Sequence, residues 1–403
     1  MHVSHTSSPL EILVGIDVGS QQHSVAVGLS DGSLLEEFDI NHRPDGFAQF
    51  FNRVTEHSEK FDGCGVRVAM EGYNGHARPL DVMVQQQSWP LYSINNLKLA
   101  RFKEIFPAVS KSDKMDANRA LQLFQLREHV PMARGVLQEV LPSPTENAQL
   151  KRYTRRRKQI VDEKVRVSCR LQSDLQAVCP GLLDITGKVD NLWFLRLLTS
   201  VDKLSKLKRL HAKTLHSIPA LGPKALVVIQ GWQKDAVFSV EEPYVGEMII
   251  EDARRLLELR EIEKGLKNQC EELIQNSEIA KHIESIPGFG VICAATLAGE
   301  IGSITRFNSE ASLAVYIGMA NLDRSSGKKH DSKAPKHVNT HAKTAMMVGV
   351  DRHRKCVPES QKYYMKKRAE GKIHNQAIRS LGRHLSRVIF NMLKHDRDYE
   401  MRD

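Results

Sequence analysis

The chain has 403 residues, a formal net charge of +10 at pH 7 and a hydrophobic content of 41%. A chain of this length can bury the cores of two or three domains. Its positive charge favours a polyanionic partner such as nucleic acid, although ribosome-associated and membrane-surface proteins share this composition. No apolar run approaches the roughly 20 residues of a membrane-spanning helix, so we expect no membrane segment.

Cysteine usage and the first residues bear on the compartment. None of the six cysteines forms a C-x-x-C pair, so neither a zinc site nor a disulfide framework is indicated. The polar stretch before residue 10 lacks the apolar centre of a signal peptide. We therefore expect reduced thiols and a cytoplasmic protein.

The first 130 residues alternate between strand-like and helix-like stretches. Residues 11–40 are typical of three strands, with a hairpin signal at Asp31-Gly32. The later predicted elements are a helix over 45–56, a strand over 66–70, a helix over 78–87, a strand over 90–94, and helices over 96–106 and 112–128. This order predicts an α/β RNase H-like domain. The sugar-kinase and actin superfamily begins in the same way and stays an alternative.

Four acids occupy related places in this predicted domain. Asp17 lies inside an apolar strand, Glu71 follows the fourth strand, and Asp113 and Asp116 are three apart on one helix. The ends of the first and fourth strands are neighbours in such a sheet, so we expect these carboxylates to converge. A buried carboxylate needs a partner, and Mg²⁺ prefers oxygen ligands. The set predicts a site for one or two Mg²⁺ ions, while Asp17 as a simple turn residue is the alternative.

The middle of the chain is predicted to be helical. Residues 131–150 contain three prolines and are typical of a linker. A long helix over 147–177 follows, and apolar spacing over 249–274 predicts a second that could pair with it as an antiparallel coiled coil. The first helix carries six basic residues in eight, namely Lys151, Arg152, Arg155, Arg156, Arg157 and Lys158. We expect them to contact phosphates, with a solvated helix face as the alternative.

Two features mark the C-terminal third. The stretch from Pro287 to Gly290 precedes an apolar helix, which is typical of a helix-hairpin-helix unit. There Gly288 and Gly290 allow a tight turn whose backbone N–H groups can hold a DNA phosphate. A plain packing turn is the alternative. The remaining residues, 334–403, are predicted to be helical.

A second polar segment contains two serines. Ser325 and Ser326 precede Gly327 and lie beside Lys328 and Lys329. A serine hydroxyl is a weak nucleophile unless nearby cations or a metal favour its alkoxide. Taken alone, the segment predicts a mobile basic loop.

Together these motifs resemble the RuvC-like DEDD transposases of bacterial insertion sequences, the bridge-RNA-guided serine-dependent recombinases. The stretches that carry the resemblance are Gly15–Gly19, Met70–Gly72, Ser112–Ala117, Ile286–Gly290, Tyr316–Met319, Ser325–Gly327 and Lys366–Asn375. The chain departs from the family's common Lys-x-Gly-Asn stretch, because residues 333–341 contain no glycine.

The resemblance implies a chemistry. The metal-binding acids would be Asp17, Glu71, Asp113 and Asp116, and Ser326 would attack DNA to form a covalent 5′-phosphoserine, with Ser325 as the fallback. A structured bridge RNA would pair with donor and target DNA. Two protomers would build a composite site in a homodimer, or in a tetramer, and the cytoplasmic protein would join the nucleoid when bound to DNA.

These inferences predict three parts: a RuvC-like catalytic domain over 10–145, a helical coiled-coil and dimerisation region over 146–284, and a mainly α C-terminal domain over 285–403 with the helix-hairpin-helix and serine loop. An actin-superfamily sugar or acyl kinase would need a second phosphate motif and an adenosine-binding glycine pair, and the sequence shows neither. A non-catalytic nucleic-acid-binding protein is the other alternative.

Overall fold

The computed structural model describes residues 9–71, 77–106, 112–130, 136–320, 322–326, 329–333 and 338–401. The chain divides into two compact units, Met1–Pro142 and Ser143–Asp403. The first predicted boundary, after residue 145, falls close to this division. The second, between residues 284 and 285, lies inside the second unit and stays a prediction.

The first unit is an α/β fold. Its elements are β1 (Ile12–Val18), β2 (Gln22–Leu29), β3 (Leu34–Asn41), α1 (Pro44–Lys60), β4 (Val66–Glu71), α2 (Arg78–Gln86), β5 (Leu91–Ile94), α3 (Asn96–Lys103), α4 (Asp113–His129) and β6 (Leu137–Glu139). The strands form one sheet in the order β3-β2-β1-β4-β5-β6. The neighbours β1 and β4, and β4 and β5, run parallel, while the other pairs are antiparallel. This confirms the predicted RNase H-like fold.

The central strand β1 is covered on both faces, which explains its continuous apolar run. Ile12, Val14 and Ile16 belong to a core shared with α1 and α2. Leu13 belongs to a second core with α3 and α4. Because side chains alternate along a strand, Gly15 and Asp17 share the face of Leu13 and α4.

Gly15 lets α4 lie directly on β1. A Cβ at this position would lie 2.5 Å from the backbone nitrogen of Leu121 and 2.7 Å from the carbonyl oxygen of Ala117. These are backbone atoms of α4, so no rotamer change could relieve the clash. A side chain at residue 15 would therefore push the helix off the strand.

The sheet has one strand more than the sequence predicted. Residues 131–150 were expected to be a linker, but β6 pairs antiparallel with β5 through Leu137 and Ile94. The strand is only three residues long. Such a short segment among prolines lacks the alternation that marks a strand in sequence, so its partner rather than its composition stabilises it.

The second unit is mainly helical. Its helices and strands are α5 (Thr145–Val178), α6 (Leu192–Thr199), α7 (Ala212–His216), α8 (Pro223–Asp235), α9 (Glu242–Ile274), α10 (Glu278–Glu284), α11 (Val291–Ile301), α12 (Glu310–Tyr316), β7 (Leu322–Ser326), β8 (Lys329–Lys333), α13 (Thr340–Cys356), α14 (Pro358–Ala369) and α15 (His374–Lys394). Short 3-10 helices cover Leu183–Ile185, Leu204–Arg209 and Ile304–Arg306. No helix in the described ranges has the length and apolarity that a bilayer span requires.

The long helices α5 and α9 run antiparallel. Glu263 of α9 pairs with Arg157 and Lys164 of α5, and Asp252, earlier in α9, pairs with Arg170, later in α5. The apolar side chains of α5 also enter two separate cores. Leu150 lies in the core of α10–α15, and residues from Ile160 onward lie in the core formed with α6 and α9.

The serine segment is a strand pair, not the loop that the sequence predicted. Its two strands, β7 and β8, pair antiparallel from Leu322↔Lys333 to Ser326↔Lys329. Alternation of apolar residues is the usual strand signal, and this segment has almost none. Backbone hydrogen bonding between its two arms therefore defines the hairpin.

Replacement of Gly15 tests the contact between β1 and α4. We expect Gly15→Ala to lower the free energy of unfolding by about 2 kcal/mol or more, because the methyl group meets helix backbone. Urea denaturation would measure the change. Gly65→Ala is the matched control, since a Cβ there lies 3.6 Å from its nearest neighbour, an ordinary contact. Equal stabilities of the two variants would contradict the contact.

Candidate active site

Asp17 and Glu71 lie side by side at the ends of parallel strands. They are the last paired residues of β1 and β4. Both side chains are half-buried. Since equivalent residues of parallel neighbours share a face, both carboxylates lie on the α4 side of the sheet.

The N-terminus of α4 brings two more acids to this face. The Ser112 hydroxyl accepts a hydrogen bond from the Met115 backbone N–H at 3.3 Å and so caps the helix. Asp113 and Asp116 both lie in the first turn. The positive end of the helix dipole favours carboxylates at this position.

Lys103, the last residue of α3, lies between two of the acids. Its Nζ is 3.1 Å from Glu71 Oε2 and 2.9 Å from Asp116 Oδ1. Burial acts to lower the pKa of this ammonium, but the hydrogen bonds to Asp116 and Glu71 outweigh it and raise the pKa. One ammonium thus bridges acids from the sheet and from α4.

The charged form of Asp17 is disfavoured, in contrast to that of Lys103. Burial, followed by repulsion from Glu71, Asp116 and Asp113, raises its pKa to about 6, against a smaller opposing effect of Lys103. At Asp17, burial and repulsion among the carboxylates thus outweigh the attraction of Lys103. An excess of negative charge with oxygen donors is the environment that favours a hard divalent cation.

The donor set fits Mg²⁺, although it is not assembled into a cage. Across the part of the chain that the structure describes, no three acidic, histidine or cysteine side chains lie close enough together to hold an ion. Lys103 occupies the space between Glu71 and Asp116. Joint coordination by these carboxylates would require the ammonium to move aside.

The two predicted nucleophiles lie at the end of β7. In the backbone pairing, Ser326 is opposite Lys329 and Ser325 is opposite His330. Lys328 and all side chains of the hairpin lie outside the described residues. Both serines belong to the second unit, whereas the four acids belong to the first.

Comparisons with known proteins identify the family. Residues 14–180 match the family model of IS110 DEDD transposases, described as Transposase, and residues 280–365 match the one described as Transposase IS116/IS110/IS902 family. The first match spans all four acids and the second spans both serines. The chain belongs to the DEDD transposases of insertion sequences.

Similar proteins cover almost the whole transposase. The insertion element IS110 uncharacterized 43.6 kDa protein of Streptomyces coelicolor is 27% identical over 401 residues, 97% of this chain and 96% of that protein. The insertion element IS116 uncharacterized 44.8 kDa protein of Streptomyces clavuligerus is 24% identical over 395 residues, 96% and 95% of the two chains. The solved T. thermophilus RuvC in complex with Holliday junction substrate is 16% identical, with a TM-score of 0.24, over 32% of this chain and 99% of RuvC.

Membership makes the chain a DNA-cleaving enzyme and replaces the sugar-kinase alternative. RuvC-like DEDD nucleases generally use divalent metal ions, in keeping with the carboxylates at the end of β1 and β4. Sequence reasoning found these acids but missed Lys103. Its signal was a basic residue at the end of the helix after β5, which cannot be told from other surface lysines without the fold.

Several residues of the basic run form ion pairs within the second unit of the transposase. Arg155 pairs with Glu300, and Arg157 pairs with Glu263. Lys158 pairs with Asp162 one turn away, and Lys151 lies 3.9 Å from Glu300. Arg152 and Arg156 are exposed. Contact of the run with nucleic acid stays a prediction, and these two exposed residues are not part of the four pairs just described.

The predicted hairpin turn lies between α10 and α11. Gly288 has a φ of +90°, and a Cβ there would clash with the backbone of His353 and Arg352 in α13. The His353 ring also hydrogen bonds the Pro287 carbonyl at 2.7 Å. Gly290 has open space around its Cα. Packing against α13 therefore accounts for Gly288, while a phosphate contact of the turn stays a prediction.

The raised pKa of Asp17 has a consequence for stability. An acid whose pKa rises on folding lowers stability as the pH rises from its unfolded pKa, here 3.8, to its folded pKa, here about 6, and the full loss persists at higher pH. We expect Asp17→Asn to raise the free energy of unfolding at pH 8 without metal by about 1–2 kcal/mol, because solvent screens part of the repulsion at a half-buried group. Urea denaturation in chelator at pH 4 and pH 8 would measure it.

Asp45→Asn is the control, because Asp45 is an exposed acid in the first turn of α1. This variant should gain no stability at pH 8. Mg²⁺ should also stabilise the unsubstituted protein more than Asp17→Asn. A loss of stability in Asp17→Asn at pH 8 would show that the carboxylate is compensated in the metal-free state.

Proposed function

We propose that this transposase breaks and rejoins DNA through a covalent serine intermediate, with Mg²⁺ held by Asp17, Glu71, Asp113 and Asp116. The observation that carries the metal part is the raised pKa of Asp17, about 6, which burial and repulsion from Glu71, Asp116 and Asp113 produce. When bound, Mg²⁺ polarises the phosphate and stabilises the charge that develops on its oxygens.

Ser326 is the proposed nucleophile and Ser325 the fallback. The Oγ–P bond forms as the P–O3′ bond of DNA breaks, the serine proton passes to solvent, and the leaving 3′ oxygen takes up a proton. The product is a 5′-phosphoserine. Because one phosphodiester replaces another, the link conserves the energy needed to rejoin strands. Support comes from the match of the second family model across the hairpin.

We also propose that a structured RNA selects the DNA. The family resemblance supports this role, and a net charge of +10 suits a protein that holds two polyanions. Base pairing by the RNA would choose donor and target, so the protein needs chiefly backbone contacts. A homodimer, or a tetramer at synapsis, would bring acids and serines of different protomers together.

Serine replacement tests the chemistry. The assay would contain full-length protein, RNA transcribed from the flanks of the element, plasmid DNA bearing the element ends, and MgCl₂. We expect Ser326→Ala to abolish protein–DNA adducts on denaturing gels, because it has no nucleophilic oxygen. Ser325→Ala should retain them, since consecutive strand residues occupy opposite faces and only one is expected to react.

Two outcomes would change the assignment. Undiminished adducts in Ser326→Ala together with loss in Ser325→Ala would move the nucleophile by one residue. Adducts in both single variants and in the double variant would refute serine attack. Asp17→Ala serves as the metal-site control, and it should lose cleavage while still binding RNA.

The basic run predicts the salt dependence of binding. Each phosphate contact on duplex DNA contributes about 0.9 to the slope of log affinity against log salt. We expect Arg152→Gln with Arg156→Gln to weaken DNA binding and to reduce that slope by roughly 1–2. Fluorescence anisotropy of labelled DNA over a salt series from roughly 50 to 300 mM would measure the slope.

The matched control removes two exposed basic residues from the other long helix. Arg254→Gln with Lys264→Gln alters the net charge equally, and both positions are exposed on α9. It should leave the slope within about 0.5 of the original. Equal slope changes in the two double variants would assign the effect to overall charge and refute a local contact.

A further inference from the structure

Glu300 is a buried acid for which neither the metal site nor the proposed nucleophile accounts. It is the only charged residue in the sequence of α11, and its side chain is 0% exposed. Burial alone would raise its pKa, but hydrogen bonds from Arg155 and Asn339 lower it. Glu300 is therefore a buried carboxylate stabilised by specific donors.

Three elements meet at this carboxylate. Arg155 of α5 makes a two-pronged contact, with Nε 2.6 Å from Oε1 and Nη2 2.9 Å from Oε2. Asn339, the N-cap of α13, donates from Nδ2 to Oε2 at 2.7 Å. A planar two-bond contact to Arg fixes direction as well as distance.

Tyr316 joins the same hydrogen-bond network through its hydroxyl group. Its hydroxyl donates to the Glu300 backbone carbonyl at 2.9 Å and accepts from Asn339 Nδ2 at 2.9 Å. The Asn339 backbone N–H also donates to the Tyr316 carbonyl at 2.8 Å. Tyr316 and Asn339 are thus joined to each other and to Glu300.

These two residues flank the serine hairpin. Tyr316 lies six residues before the first residue of β7, Leu322, and Asn339 lies six residues after the last residue of β8, Lys333. The chain therefore enters and leaves the hairpin segment through residues that Glu300 holds. Arg155 connects the same point to α5, the helix that carries the basic run.

The close approach of α11 to α5 supports this arrangement. A Cβ at Gly299 would lie 2.5 Å from the backbone nitrogen of Lys151. The two helices consequently touch through their backbones next to Glu300, one turn from Arg155. Glu300 is buried while the Arg155 side chain is 43% exposed. Burying a carboxylate costs free energy even when it is paired, so fixing a geometry is the stronger physical reason for Glu300.

We propose that Glu300 is a positioning residue that fixes the base of the serine hairpin to helix α5. The inference rests on the proposed function, because it gives the hairpin its catalytic meaning. The distance and orientation between nucleic acid bound along α5 and the nucleophile on the hairpin would then be fixed.

Glu300→Gln is the principal test, because it keeps the size of the side chain and removes its charge. We expect the rate of adduct formation at saturating DNA to fall about 10- to 100-fold, as expected when a reacting group is misplaced. Affinity for the same plasmid DNA should change less than about twofold, since no DNA contact is removed. Amide hydrogen exchange over residues 317–339 should become faster.

Glu263→Gln is the matched control. Glu263 also binds two basic residues, Arg157 and Lys164, and both lie on α5 and not beside the hairpin. This variant should retain both the adduct rate and the exchange rate that the unsubstituted protein shows over the same range. Equal losses in both variants would reduce Glu300 to a general stabilising residue and overturn the proposal.

Two further variants guard against simple misfolding. Tyr316→Phe removes one hydroxyl and should lower the adduct rate in the same direction with normal thermal stability. Asn339→Asp keeps an oxygen that can cap α13 but places a second carboxylate against Glu300, so it should also lower the rate. Normal adduct rates in both variants, together with unchanged exchange in Glu300→Gln, would refute the tether.

The same measurements separate this inference from the serine chemistry. Ser326→Ala should lose adducts with no change in exchange over residues 317–339. Absence of adducts in the unsubstituted protein would refute the proposed chemistry, while faster exchange in Glu300→Gln would still establish the anchor. Slow exchange in Glu300→Gln with a normal adduct rate would overturn the positioning role and leave the serine chemistry intact.

Discussion

The backbone contact between β1 and α4 at Gly15 is the constraint on which the acidic site depends. Because residue 15 has no side chain, the helix lies against the strand, and its first turn reaches the strand end that carries Asp17. The parallel pairing of β1 with β4 then adds Glu71. A sheet and one helix thus bring together acids separated by about a hundred residues of sequence.

That geometry has an electrostatic consequence for the acids. Four carboxylates repel one another, and Asp17 shows the strain as a pKa of about 6. Lys103 relieves part of it by bridging Glu71 and Asp116. Under the proposed function, the same repulsion would favour the binding of a cation between the carboxylates.

Much of the first unit could be predicted because its signals are local. The apolar runs of β1 and β4 and the Ser112 cap marked the elements that carry the acids. By contrast, β6 and the serine hairpin depend on pairing with distant or polar strands, which composition does not encode. Lys103 was missed for the same reason, because only the fold brings it to Glu71. In the second unit, counting charges treated Arg155 as a nucleic-acid ligand, whereas the fold gives it Glu300 as a partner.

The shared helix α5 also limits how this protein can change through evolution. Its 34 residues extend about 50 Å and enter both cores of the second unit, beside the 33 residues of antiparallel α9. An insertion in one helix alone would rotate its apolar face away from the partner by about 100° per residue. Relatives can therefore vary the spacing between the two cores only through compensating insertions in both helices, in steps close to whole helical turns.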